Sequence, residues 1–162
     1  MWSEVEIARL FQTVERQERV RLVTVKLNRG VRPFQILLTV DVEEGFITVD
    51  ACAAVSRRFQ DVIDLQDDAP ADYRLVVSSP GIDWPMSELW QFRKNVGRLI
   101  RHSNQDRLME GRIVTAADGI VALETPDGLK RLPIAELAGA KVVVEMPQHR
   151  PSKRKRNEKR NS

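Results

Sequence analysis

The chain has a single cysteine, Cys52, a single tyrosine, two histidines, and only 6% aromatic residues. One cysteine closes no disulfide within the chain, which excludes a disulfide scaffold and fits a reducing cytosol. No apolar run approaches the ~18 residues of a membrane span, so no membrane segment is expected. The opening MWSEVEIARL carries acids where an export signal needs bases, so a cytoplasmic protein is expected. Also missing are a glycine-rich phosphate loop, the paired cysteines of a zinc site and an HExxH motif. No metal and no cofactor is expected.

Nucleophilic catalysis finds little to work with. Cys52 and His102 or His149 would be the thiol and the imidazole. Cys52, however, falls on the apolar face of a predicted helix, where cysteine behaves as a small buried hydrophobe. His149 opens a strongly basic tail that holds no base in place. Ser78 and Ser79 lack the GxSxG frame of a nucleophile elbow. The chain reads as a non-enzyme.

The sequence does hold charge, unevenly placed. The 162 residues are 42% hydrophobic and 30% charged, with net charge +3, as expected of a soluble globular protein. Residues 150–162 contain seven Lys/Arg and one Glu, a net +6, so residues 1–149 carry −3. Most of that deficit lies in residues 1–81, with ten basic and thirteen acidic side chains. An acidic body with a basic tail suits a ribonucleoprotein setting, where one part meets basic protein and another RNA. The tail, with Lys153, Arg154, Lys155, Arg156, Lys159 and Arg160, is the candidate RNA contact. It has no interleaved aromatics, so it offers phosphate neutralisation without base choice, and it should be disordered when free. Asp41, Glu43, Glu44, Asp64, Asp67 and Asp68, with Asp61, are the candidate contacts for a basic protein.

Hydrophobic periodicity divides the chain. Ser3-Glu4-Val5-Glu6 matches a capping box, and Ile7, Phe11 and Val14 follow at helical spacing, predicting a helix over 3–17. Val23, Val25 and Leu27 then alternate with polar residues, as do Phe34, Ile36, Leu38 and Val40 after the turn Asn28-Arg29-Gly30. Thr48 is placed to cap a second helix whose apolar face is Cys52, Val55, Phe59 and Val62. An apolar strand, 74–77, closes this part. The expected result is a small α/β sandwich, a three-stranded sheet with two helices, over residues 1–81.

Residues 86–94 then read as a short helix. Five short strand candidates follow at 97–102, 108–115, 120–124, 130–133 and 140–146. Ala117-Asp118-Gly119 and Pro126-Asp127-Gly128 are strong turn sequences. So many short strands in so little chain predict a closed SH3/Sm-like small β-barrel over 82–147, with a single helical turn at 133–137 before the last strand. Residues 148–162 form the tail. The fold class expected is α+β.

Between the two parts lies Tyr73–Met86, YRLVVSSPGIDWPM. A strand stops at Ser78-Ser79-Pro80-Gly81, where Pro80 fixes φ and Gly81 is free to take a positive φ. With Asp83, Trp84 and Pro85 these residues form a candidate interdomain elbow. The serines are expected to cap its turns. Trp84 and Trp90 flank it, suited to packing in the junction or to stacking on an RNA base.

LVVSSPGIDWP is similar to the LEVSSPGLDRP signature of the bacterial ribosome maturation factor RimP family. Residues 45–64, with Gly45, Thr48, Asp50, Cys52 and Ser56, resemble that family's helix segment, and FRKNVGRLIR at 92–101 resembles the entry to its second domain. Two positions depart from the pattern: Val76 stands where glutamate is usual, and Trp84 where arginine is. The resemblance implies a monomeric factor for assembly of the small (30S) ribosomal subunit. It also implies contact with ribosomal protein S12, through the barrel, and with nearby 16S rRNA. The alternative is a general RNA-binding module built on the barrel and the basic tail.

Overall fold

A computed structural model of the protein describes residues 2–145. Helix α1 spans Glu4–Glu18. Its capping box is formed: Ser3 Oγ accepts from the Glu6 N–H at 3.3 Å, and Glu6 Oε2 accepts from the Ser3 N–H at 2.7 Å. Two of the orphan donors of the first turn are thereby satisfied. Strands β1 (Arg21–Asn28) and β2 (Phe34–Asp41) pair antiparallel, and β3 (Tyr73–Ser78) lies parallel to β2. A parallel pair needs a crossover, and α2 (Val49–Asp64) supplies it.

Two expected core faces are corrected. A bulge between Leu22 and Thr24 shifts the alternation in β1, so that Leu22, rather than Val23, faces Val40 and joins Val25 and Leu27 against the core. A bulge inserts one residue and reverses the facing of those before it. On α2 the buried positions are Val55, Phe59 and Ile63. Steps of four residues keep these three in line, whereas Val62 and Cys52 sit half-buried beside them. Phe11 of α1 meets Phe59 of α2 edge to face, ring centroids 5.0 Å apart at 80°, a favoured aromatic arrangement.

The second part begins with α3 (Leu89–Lys94), then β4 (Leu99–Asn104), β5 (Arg107–Ala117), β6 (Ile120–Thr125), β7 (Gly128–Pro133), the single turn α4 (Ile134–Leu137) and β8 (Lys141–Val142). Asp118 and Gly119 both adopt positive φ, 53° and 75°, as a two-residue hairpin between β5 and β6 requires. The five strands form an antiparallel sheet in the order β7-β6-β5-β4-β8. The expected ring of pairing is not completed among the described residues: β7 and β8 stand at opposite ends of that order. The expected strand over 140–146 is represented by two residues. Ala140 instead bridges Met86, which accepts from the Gly139 N–H at 2.7 Å and donates to the Ala140 carbonyl at 2.8 Å. Phe92, Ile100, Ile113, Leu123 and Leu137 are buried here, in a cluster separate from the one around Phe11 and Phe59. Among the described residues no helix is long and apolar enough to cross a membrane.

Candidate site between the two sheets

Most of the candidate acids are engaged within the chain. Asp41 Oδ1 accepts from Lys94 Nζ at 2.7 Å, Glu43 from Arg21 Nε at 2.7 Å, Asp64 from the Tyr73 hydroxyl at 2.9 Å, and Asp68 from Trp2 Nε1 at 2.8 Å. Glu44 and Asp67 are exposed. The sequence shows the acids but not their long-range partners, which lie from 9 to 66 residues away. Lys153, Arg154, Lys155, Arg156, Lys159 and Arg160 lie outside the described residues.

Residues 81–84 form a turn that differs in detail from the expected one. Gly81 is not among the residues with positive φ. It opens a turn closed by the backbone, in which the Trp84 N–H donates to the Gly81 carbonyl at 3.1 Å, without help from the Ser78 and Ser79 hydroxyls. A Cβ at position 81 would sit 3.1 Å from Asp83 Oδ1, the end of an exposed side chain that can swing aside, so neither φ nor space demands glycine here. Ser78 ends β3, while Ser79 and Pro85 are exposed and Pro80 half-buried. The two tryptophans separate: Trp90 is buried, its Nε1 donating to Glu88 Oε2 at 2.6 Å, and Trp84 remains half-exposed.

Trp84 forms one wall of a cleft between the two sheets, with Ser79, Ile82, Phe46, Arg98 and Asn95 among its lining and room for about 180 Å³. Asp41 and Lys94 also line it and are mostly buried, their side chains 16% and 13% exposed. Lys94 Nζ also donates to the Val42 carbonyl at 2.9 Å. Phe46 is 76% exposed, though Ile47 beside it packs into the first core and Thr48 caps α2 through the Ala51 N–H at 3.0 Å. An exposed phenylalanine forgoes roughly 1.5–3 kcal/mol of burial. The Arg98 guanidinium lies over its ring, 5.8 Å from the centroid, within cation–π range. Sequence reading missed Phe46 and Arg98. The one local sign was a lone aromatic just before a helix cap.

A second concavity lies at the β4–β5 and β6–β7 turns, where His102, Arg107, Asp127 and Lys130 are among its lining. The His102 Nδ1 is buried there without a hydrogen-bond partner. Cys52 sits on α2, in the other half of the molecule, and burial pushes its thiol above the usual cysteine range. The pair is thus split between two cores. Among the described residues, no three His, Cys, Asp or Glu are grouped to hold a metal ion.

Residues 10–83 match the family model described as the RimP N-terminal domain. That stretch runs from the middle of α1 through β3 and into the turn that carries Trp84.

Proposed function

We propose a role that proceeds from one premise: the chain belongs to the RimP family, through its domain at residues 10–83. It acts as a maturation factor for the small (30S) ribosomal subunit, docking on the immature particle through ribosomal protein S12 and nearby 16S rRNA. The single observation carrying this reading is the family match, which covers the α/β part.

The division proposed is an N-terminal domain over 1–81, a second domain over 82–147 and a basic tail over 148–162. The second domain is read as a small SH3/Sm-like barrel. The bulge between Ile113 and Thr115 and the single turn α4 support the strong bending such a barrel needs. Glu44 and Asp67, with Asp50 and Asp61, supply the negative field that would orient a basic ribosomal protein. The tail adds phosphate contacts whose log K falls by roughly 0.7–0.9 per contact for each decade of salt. Maturation follows from differential affinity, because a binder shifts an rRNA equilibrium only by its preference for one conformation. The factor works as a cytoplasmic monomer without catalysis or cofactor.

Co-sedimentation with immature and mature small subunits, by the full chain and by a chain ending at Met146, tests this reading. Binding to immature particles alone, surviving truncation, is expected. Binding that vanishes with the tail, or that is equal for any RNA, would leave a general RNA-binding module and defeat the maturation reading.

A further inference from the structure

The geometry points to the cleft between the sheets as a seat for one unstacked RNA base, held between Trp84 and Phe46 with its phosphate on Arg98. This deepens the maturation reading and rests on it. Three features of the cleft carry the inference.

The first is size. Room for about 180 Å³ is below the roughly 300–1,000 Å³ of small-molecule sites, so the cleft takes one flat group rather than a cofactor. The second is its faces. Phe46 is held out to solvent between Ile47, which packs into the core, and Gly45, whose φ is 73°. Trp84 lines the same cleft, its backbone set by the turn in which its N–H donates to the Gly81 carbonyl. Sequence-tolerant recognition of single strands uses aromatic faces and guanidinium planes in this way.

Charge is the third feature, and it separates RNA from protein. The Asp41 carboxylate is neutralised by Lys94, and Arg98 pairs with no carboxylate among the described residues. The lining therefore carries one net positive charge, which attracts a phosphate and repels a basic peptide. Glu44 and Asp83, exposed and near Phe46 and Trp84 in sequence, oppose a phosphate, whereas Arg93, exposed in the last turn of α3, attracts one.

The test uses the full chain and two short probes of equal length, an oligouridylate and the same sugar–phosphate strand without bases. The tail contributes equally to both. Binding of the oligouridylate should be roughly tenfold tighter, as one stacked base allows, and should quench the fluorescence of Trp84. Trp2 is engaged with Asp68 and Trp90 is buried, so loss of the quenching in Trp84→Phe identifies the reporter. Phe46→Ala, at an exposed position, should abolish the preference while circular dichroism stays unchanged. Equal affinity for the two probes, or a preference untouched by Phe46→Ala, overturns the inference. Quenching by a lysine-rich peptide but not by the oligouridylate hands the cleft to a protein partner and also overturns it. Sedimentation with immature subunits runs in parallel. A chain that binds subunits without base preference defeats the cleft alone. One that keeps base preference but ignores subunits defeats the maturation reading alone.

Discussion

Asp41 and Lys94 meet 53 residues apart in sequence, at 2.7 Å, and join the end of β2 to the last turn of α3. The same Asp41 oxygen accepts from the Val42 N–H at 2.8 Å, and Lys94 reaches the Val42 carbonyl. One ion pair therefore fixes the α/β sheet against the second part, and it fixes the start of the loop that presents Phe46. Because water is largely excluded, each charge depends on the other.

Removing one partner should leave the other charge buried and uncompensated. Lys94→Met or Asp41→Asn is expected to cost about 3 kcal/mol, the lower end for a broken buried pair. Asp41→Asn with Lys94→Met together should cost less than the two separately, since the orphaned charge is gone. Urea unfolding of the four proteins measures this. A loss below about 0.5 kcal/mol for each single variant would mean that the pair behaves as an exposed one.

Tyr73 is the only tyrosine, so phenolate absorbance follows it alone. Burial and the hydrogen bond to Asp64 push its pKa up to about 12. The unfolded phenol ionises near 10. Between those values the unfolded chain holds fewer protons than the folded one, so stability falls as pH rises through that window and is fully present below it. Asp64→Asn should move the folded midpoint down toward the ordinary value. A folded midpoint already near 10 in the unaltered protein would contradict the structure.

Local signals were legible in the sequence, and long-range ones were not. The Ser3 capping box and the Thr48 cap are four-residue patterns, and both helices start where those patterns place them. The Asp118-Gly119 hairpin is equally local. The bulge at Leu22/Thr24 depends on how β1 fits β2, so strict alternation misassigned Val23. A positive φ is expected at Gly81 from its place after Pro80, but the turn closes without one. Closure of the barrel was inferred from strand number, but pairing also depends on strand length, and β8 has two residues. The acids drew attention as a group, yet Asp41 and Asp68 found partners on distant elements. Phe46 and Arg98 became a candidate site only when folding placed a guanidinium over an exposed ring.

Cys52 should be a poor nucleophile. Its thiol is half-buried on α2, and burial raises its pKa, lowering the thiolate fraction at neutral pH. A chromogenic thiol reagent should react slowly with the folded chain and much faster in denaturant. Equal rates in both conditions would show that the thiol is open to solvent.

Gly111 supplies a test of the second part by itself. It lies on β5 opposite Ile100, and a Cβ there would come within 3.1 Å of the Glu124 carbonyl oxygen and 3.2 Å of Leu123 Cβ. Glu124 belongs to β6 and is held in register by Leu129 of β7, so its backbone has little freedom to retreat. Gly111→Ala is therefore expected to cost about 1–3 kcal/mol through overpacking. If residues 1–81 and 82–147 fold as separate domains, the loss should appear in the unfolding of the second while the Tyr73 phenolate titration is unchanged. A parallel shift in both would show a single cooperative unit, with the Asp41–Lys94 pair inside it. A cost below about 0.5 kcal/mol, the range of ordinary surface changes, would show that β5 and β6 stand further apart than the structure places them.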